Sequence, residues 1–200
     1  MAQQLGELGS WKRRLSFLAG RHTPHWCRVV MDRSTAAWVN ALGPQNLDVL
    51  EVSGGRWGAK NFRSYRRLDF PEYDLCAGPL DGADFDLVIV EQVLEHVVEP
   101  AKAVAHARAM LRPGGHLLVS TPFLIRYHGA PDDYSRWTAL GLGQLLEGAG
   151  FAAAAIKTSS WGNRACVIAT LDRWAKYRPL RHSLRDDPRF PVVVWALAQR

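Results

Sequence analysis

A doubly wound α/β domain with a mostly parallel sheet is what this chain should form, on three counts. Short apolar strand candidates alternate with amphipathic helical patterns along most of its length. Each strand candidate is bounded by Gly, Pro or Asp, as strands that open into loops are. Two hundred residues of which 48% are apolar suffice for one domain with a full core.

The strand candidates, in order, are LDVLEV (47–52), FRSYRRLDF (62–70), FDLVIV (85–90), GHLLVSTPF (115–123), FAAAAIKT (151–158) and FPVVVWALAQ (190–199). Before the first of them, CRVVMDRSTAAWVNAL reads as a helix that packs on the sheet or closes over its end. EPAKAVAHARAMLRPGG places Pro100 in a first helical turn, Val104, Ala107 and Leu111 on one face, and Gly114 past the end. TALGLGQLLEGAG has Thr138 as N-cap and turns Leu142, Leu145, Leu146 and Ala149 to the sheet. The expected division is an N-terminal helical segment over 1–44 and a second unit over 45–200, with an insertion at about 159–189 before the last strand. Within that first segment, SWKRRLSFLAGRHTPHW receives no role.

Charge is unevenly placed. Residues 1–36 hold six Lys/Arg against two Asp/Glu, residues 37–156 ten against fourteen, and residues 157–200 nine against three. Basic flanks attract anionic substrates or nucleic acid, but a solvated surface is the favoured reading of them. Cys27, Cys76 and Cys166 are odd in number and lack metal-type spacing, so they read as reduced thiols. No long apolar run and no signal-type N-terminus is present, which predicts a cytoplasmic chain with no membrane partner.

In such a sheet the ligand lies beyond the carboxyl ends of the strands. The first such end is EVSGGRW. A dinucleotide loop needs G-x-G-x-x-G there, with an acid only at the end of the next strand. Here Glu51 already stands inside the strand end, Ser53-Gly54-Gly55 follow, and Asp69 comes 18 residues later. This pattern suits a cofactor with an ammonium group and a ribose but no phosphate.

With these residues the sequence resembles the class I methyltransferases that use S-adenosylmethionine, over roughly residues 45–158. The resemblance implies a Rossmann-like, seven-stranded sheet whose last strand is antiparallel. It implies that Glu51, Ser53, Gly54 and Gly55 form the first cofactor loop, that Asp69 bonds the ribose and that Asp74-Leu75 flank the adenine. Glu91 and Gln92 would then lie near the methionine end. Trp57 departs from the family's glycine, so either the turn takes a different path or the indole covers the cofactor.

Methyl transfer chiefly requires an aligned acceptor and, for a hydroxyl, removal of a proton. The loop TPFLIRYHGAPDDYSRWT gathers His128, Asp132, Asp133, Tyr134, Arg136 and Trp137 where the family's substrate enters. His128 is the preferred base, because an imidazole titrates near neutrality, and Tyr134 and Asp133 come next. An alternative is that Arg136 pairs with Asp132 or Asp133 as structure. EQVL stands where amide N-methylation of DNA and protein uses an Asn/Asp-Pro-Pro-aromatic run, and no cysteine serves base C5-methylation.

QVLEH together with His128 resembles the Glu-x-x-Glu-His motif and distant histidine with which small-RNA 2'-O-methyltransferases hold a divalent cation. Glu95, His96 and His128 are the candidate ligands. Gln92 replaces the first glutamate, which weakens a hard cation, and Glu95 and His96 would equally serve to begin a helix, so no metal is the favoured expectation. The leading reading is methylation of a hydroxyl or amine of a small metabolite, sugar-like or natural-product acceptors included. The alternatives are a metal-assisted RNA ribose methyltransferase, for which no RNA-binding module is recognisable, and a non-catalytic S-adenosylmethionine-binding protein.

Overall fold

A computed structural model describes residues 24–129 and 132–200. The segment SWKRRLSFLAGRHTPHW lies mostly outside these residues, as does much of the expected N-terminal segment. Six strands form one sheet: β1 (Asp48–Val52), β2 (Ser64–Leu68), β3 (Phe85–Glu91), β4 (Leu111–Pro122), β5 (Ile156–Trp161) and β6 (Val193–Gln199), ordered β2-β1-β3-β4-β6-β5. Strands β1 to β4 pair in parallel, and β6 runs antiparallel to both β4 and β5.

Side-chain alternation explains why the strands read as nearly continuous apolar runs. Leu50 and Val52 of β1, Val88 and Val90 of β3 and Leu117 and Val119 of β4 point into one core. Val49, Leu87, Ile89 and Leu118, each the neighbour in sequence of one of these, point into a core on the opposite face. The first core is closed by α2 (Pro100–Ala109), through Ala103, Val104 and Ala107, and by α3 (Ala139–Gly148), through Leu142 and Leu146. Thr138 caps α3 as expected, its side chain accepting from the Gly141 amide at 3.0 Å. The opposite face carries α1 (Val29–Ala41), which buries Met31, Thr35 and Val39. A helix after β5, α4 (Arg164–Asp172), packs Cys166 beside Trp26, Cys27 and Trp161.

The expected count of seven strands is corrected to six among the described residues. The crossover from β2 to β3, residues 69–84, contains neither helix nor strand. Pro71, Pro79, Gly78 and Gly82 punctuate it, and proline cannot donate to a sheet ladder. The β1 to β2 crossover also lacks a helix and is a run of turns over 53–63. Elsewhere α2 stops at Ala109 rather than near Gly114, because Pro113 disfavours helix at the preceding residue and Leu111 pairs with Phe85 of β3. The alanines 153–155 form a single 3-10 turn, so β5 begins at Ile156 rather than Phe151. Strand β5 runs on to Trp161, so sheet pairing extends past the start expected of the insertion. Among the described residues no helix is long and apolar enough to cross a membrane.

Candidate functional site

Beyond the carboxyl ends of β1 and β3 lies a cleft of about 710 Å³, within the range of small-ligand sites. Its lining has two origins: Val52, Ser53, Tyr73, Asp74 and Leu75 come from the end of β1 and the loops after β1 and β2 and form the first wall, and Gln92, Val93, His96, Glu99, Asp132 and Tyr134 come from the turn after β3 and the loop after β4 and form the second. The helix-free crossover after β2 is what delivers Asp74 and Leu75 here. Cys76 continues that wall, its amide donating to Asp74 Oδ1 at 2.8 Å.

The loop after β1 owes its shape to one carboxylate. Ser53, Gly54 and Gly55 take φ of 60°, 97° and 119° in succession, a left-handed course that glycine accepts and serine only under constraint. The constraint is the Ser53 amide donating to the Leu68 carbonyl at 2.8 Å, with Glu51 beneath it. Glu51 is 1% exposed; it accepts from the Gly55 amide at 2.8 Å, from the Trp57 amide at 3.2 Å and from the Tyr65 hydroxyl. Burial, and then Glu51 itself, pushes the Tyr65 hydroxyl well above its usual range, so it stays a donor. A Cβ on Gly54 would lie 2.8 Å from Glu51 Oε1, and one on Gly55 would lie 2.6 Å from Arg67 Nη1.

Of the residues the sequence assigned to the cofactor, Ser53, Asp74, Leu75 and Gln92 line the cleft. Gly54 and Gly55 form the turn beside it. Glu51 sits beneath that turn and spends its oxygens on it. Asp69 pairs with Arg67 at 2.7 Å and remains partly exposed. Glu91 is also committed elsewhere: Arg56 Nη1 reaches its two oxygens at 2.8 and 2.9 Å, and the Trp57 indole donates to it at 3.0 Å. The second Arg56 nitrogen donates to the Asp32 carbonyl at 3.0 Å and to Thr35 at 3.1 Å, tying the loop to α1.

Trp57 is 3% exposed and packs among Val39, Val49, Leu87 and Ile89. Of the two paths open to it, the turn follows the different one, and the indole enters the core beneath α1. Sequence reasoning missed Arg56 and Tyr65. Period-two alternation along β2 was the available signal, since it places Tyr65 and Arg67 on one face.

The loop after β4 folds back over the turn that follows β3. The Tyr134 amide donates to the Glu95 carbonyl at 2.7 Å, and His96 Nδ1 meets the Asp132 carbonyl at 2.5 Å. A carbonyl only accepts, so Nδ1 carries the proton and Nε2 presents a lone pair in the neutral ring. His128 lies edge-on to His96, with ring centres 4.8 Å apart, and edge-on to Trp174 at 5.3 Å. Glu95 is fully buried between the two imidazoles, its Oε1 at 3.7 Å from His96 Nε2 and 3.8 Å from His128 Nε2. Neither separation is a hydrogen bond. Burial raises the Glu95 carboxyl to about 8, and burial, followed by the neighbouring His96, lowers the His128 imidazole.

The other expected catalytic side chains part company. Tyr134 lines the cleft but is exposed, and its hydroxyl donates to Asp132 at 3.0 Å, which raises it. Asp133 grips Arg136, which holds its carboxyl low, and accepts from the His128 amide at 2.8 Å. Its geometry is that of a brace for the loop, in line with the structural alternative for Arg136.

Comparison with known proteins accords with this architecture. A family described as "Methyltransferase domain" matches residues 30–156. A probable S-adenosylmethionine-dependent methyltransferase of Mycolicibacterium smegmatis is 39% identical over 93 residues, covering 44% of this chain and 36% of the relative. A ubiquinone biosynthesis O-methyltransferase of Marinobacter nauticus is 35% identical over 80 residues, covering 40% of this chain and 32% of the relative. The matches thus span about a third of the length of these curated relatives. Among solved structures, an S-adenosylmethionine-dependent methyltransferase of Mesorhizobium loti superposes with a TM-score of 0.54 at 18% identity, over 82% of this chain and 96% of that one. A Burkholderia thailandensis 1,6-didemethyltoxoflavin-N1-methyltransferase gives 0.51 at 16% identity, over 99% and 89%. With the family match covering β1 to β4 together with α2 and α3 and the fold shared by these structures, the chain belongs to the methyltransferase-domain family.

Proposed function

We propose that this chain transfers a methyl group from S-adenosylmethionine to a hydroxyl of a small metabolite. The observation that carries the reading is the arrangement of one cleft with two chemically different walls. On the first, a left-handed turn at Ser53, Gly54 and Gly55 sets Ser53 against the cavity, while the two glycines let the chain turn tightly over Glu51 and Arg67 beside it. Asp74 and Leu75 supply a carboxylate and an apolar surface, the pair that suits an amino-substituted aromatic base. These residues fit S-adenosylmethionine, and the names of the curated relatives support the same cofactor. When bound, it supplies an electrophilic methyl on a sulfonium.

The protein's own tasks are to align the acceptor and to help its proton leave. His96 faces the cleft from the second wall, and His128 and Glu95 stand behind it. Burial keeps the His128 ring neutral at neutral pH and therefore able to take a proton. An amine acceptor needs less of this, since its lone pair attacks before the proton is lost. The basic apparatus thus favours oxygen, and an O-methyltransferase among the relatives points the same way.

Two measurements test the reading. Calorimetric titration with S-adenosylmethionine and S-adenosylhomocysteine should show saturable binding to one site per chain, and absence of both would overturn it. Incubation with methyl-labelled S-adenosylmethionine and a small-molecule extract should label a product that resists conditions cleaving esters. Label found only on RNA or protein would refute the acceptor class.

A further inference from the structure

Three buried polar atoms at the second wall have no hydrogen-bond partner: Glu95 Oε1, Glu95 Oε2 and His128 Nε2. An unsatisfied buried carboxylate is costly, and a native core tolerates few such groups unless something is meant to meet them. The neighbouring imidazole sharpens the question. His96 Nδ1 is fixed on the Asp132 carbonyl, so its Nε2 lone pair turns toward Glu95. One ligand atom from each of Glu95, His96 and His128 can be chosen so that all lie within 4.8 Å of one another. A single shared proton could join only one pair of these acceptors. A cation at the centre meets all of them.

We propose that Glu95, His96 and His128 form a binding site for one divalent transition-metal ion, opening onto the cleft through His96. That the ion assists methyl transfer rests on the hydroxyl-acceptor reading above; that it binds does not. An ion held at about 2.0–2.2 Å by three ligands in a tetrahedral arrangement leaves those ligands about 3.4 Å apart. The two separations from Glu95, 3.7 and 3.8 Å, need only a few tenths of an ångström of contraction, and the set as a whole, within 4.8 Å, closes on an ion as the two imidazoles turn inward by up to about 1.4 Å. The Nδ1 to carbonyl bond of His96 is the outer contact that commonly orients a metal-ligating imidazole.

The ligand set selects the ion. Two imidazoles and one carboxylate suit zinc, iron, cobalt or manganese, whereas magnesium prefers an all-oxygen shell. Gln92, which stands where another carboxylate would harden the site, is bonded away to Ser120 Oγ at 3.1 Å and does not join it. One carboxylate against a dication leaves a net positive charge beside the cleft. With the ion bound, the His128 lone pair is taken up by the metal, and an acceptor hydroxyl there would lose its proton to solvent instead, made more acidic by that charge. Its oxygen would then bond to the methyl carbon as the carbon–sulfur bond breaks, and the bonding pair would stay on sulfur as a thioether.

The test uses the full chain freed of metal by a chelator, then titrated calorimetrically with zinc, manganese and magnesium chlorides. One equivalent of zinc should bind, with manganese weaker and magnesium weakest. Glu95→Gln and His128→Gln each remove a direct ligand and should lower zinc affinity by at least about 100-fold, more than the loss of an outer contact costs. The metal-free Glu95→Gln protein should melt no lower than the parent, which separates lost ligation from misfolding. S-adenosylhomocysteine binding is followed in the same samples. If it persists while no metal saturates the parent, or while both variants bind zinc as the parent does, the metal site is refuted and the methyltransferase reading stands. Zinc binding without S-adenosylhomocysteine binding refutes the methyltransferase reading and leaves the metal site standing.

Discussion

Replacing Glu51 by Gln separates two roles that a carboxylate at this strand end can play. In the structure the side chain receives three donors, two backbone amides and the Tyr65 hydroxyl. A glutamine can offer its single oxygen to one side only. Whichever way the amide turns, its NH2 group confronts a backbone N–H, that of Gly55 or that of Trp57. The variant loses a charge-assisted bond, and one buried amide goes unpaired, which together should cost about 3 kcal/mol. For a chain of this size each kcal/mol moves the melting temperature by about 2–4 °C, so a drop of roughly 6–12 °C is expected by differential scanning calorimetry. Release of the Ser53 to Gly55 turn should weaken S-adenosylhomocysteine by about tenfold or more in parallel, a loss of about 1.4 kcal/mol. Tyr65→Phe removes a donor without creating a clash. It should cost about 1 kcal/mol and leave cofactor affinity nearly intact. The reasoning is refuted if Glu51→Gln melts within about 2 °C of the parent yet loses cofactor binding, because that outcome makes Glu51 a direct ligand contact and the loop self-supporting.

Three further outcomes follow from the same geometry. Gly55→Ala, at φ +119° and with its Cβ 2.6 Å from Arg67 Nη1, should lower the melting temperature through backbone strain of about 1–3 kcal/mol; Arg67→Ala in the same chain should restore only the part due to the clash. Thr138→Ala removes the acceptor for the Gly141 amide and should cost about 1 kcal/mol in urea unfolding, with Thr138→Ser close to the parent. Arg136 holds the Asp133 carboxyl below its ordinary value; a lowered folded-state value gives stability that is present above the unfolded value and is lost as pH falls through the folded one. The parent should therefore lose melting temperature more steeply than Asp133→Asn below about pH 4, as read from melting curves across pH.

The fold was legible where apolar periodicity dictated it. Strands β1, β3, β4 and β6 carry their own burial pattern on both faces, and Thr138 announced α3 by its chemistry. What escaped was governed by absence. Nothing in residues 53–63 or 69–84 states in advance that two crossovers do without helices. The family pattern supplied a count of seven strands, one more than the described residues make. Trp57 shows the limit most clearly. Its sequence position identified it as incompatible with a glycine turn, but only the packing of α1 over Val49 and Leu87 reveals that the indole is a core residue.

The site was legible as a set of residues and illegible as a division of labour. Glu51, Glu91 and Asp133 each draw notice as an acid at a strand end or in a substrate loop, and each proves to be engaged by the protein itself. A sequence shows which groups carry charge, but not which arginine neutralises them: Arg56 answers Glu91 from the turn after β1, and Arg136 answers Asp133 from three residues on. Subtracting these internally satisfied acids leaves a much smaller set whose polar atoms face the cleft or one another without partners. Glu95 and His128 head that set, and their lack of partners, rather than their motif, is the stronger argument for chemistry. In the sequence, the loss of one glutamate at position 92 counts against a metal. The three remaining ligand groups nevertheless converge, because the loop after β4 is stitched to the Glu95 turn by the Tyr134 amide on the Glu95 carbonyl and by the His96 imidazole on the Asp132 carbonyl, and no side-chain pattern encodes the backbone half of these contacts.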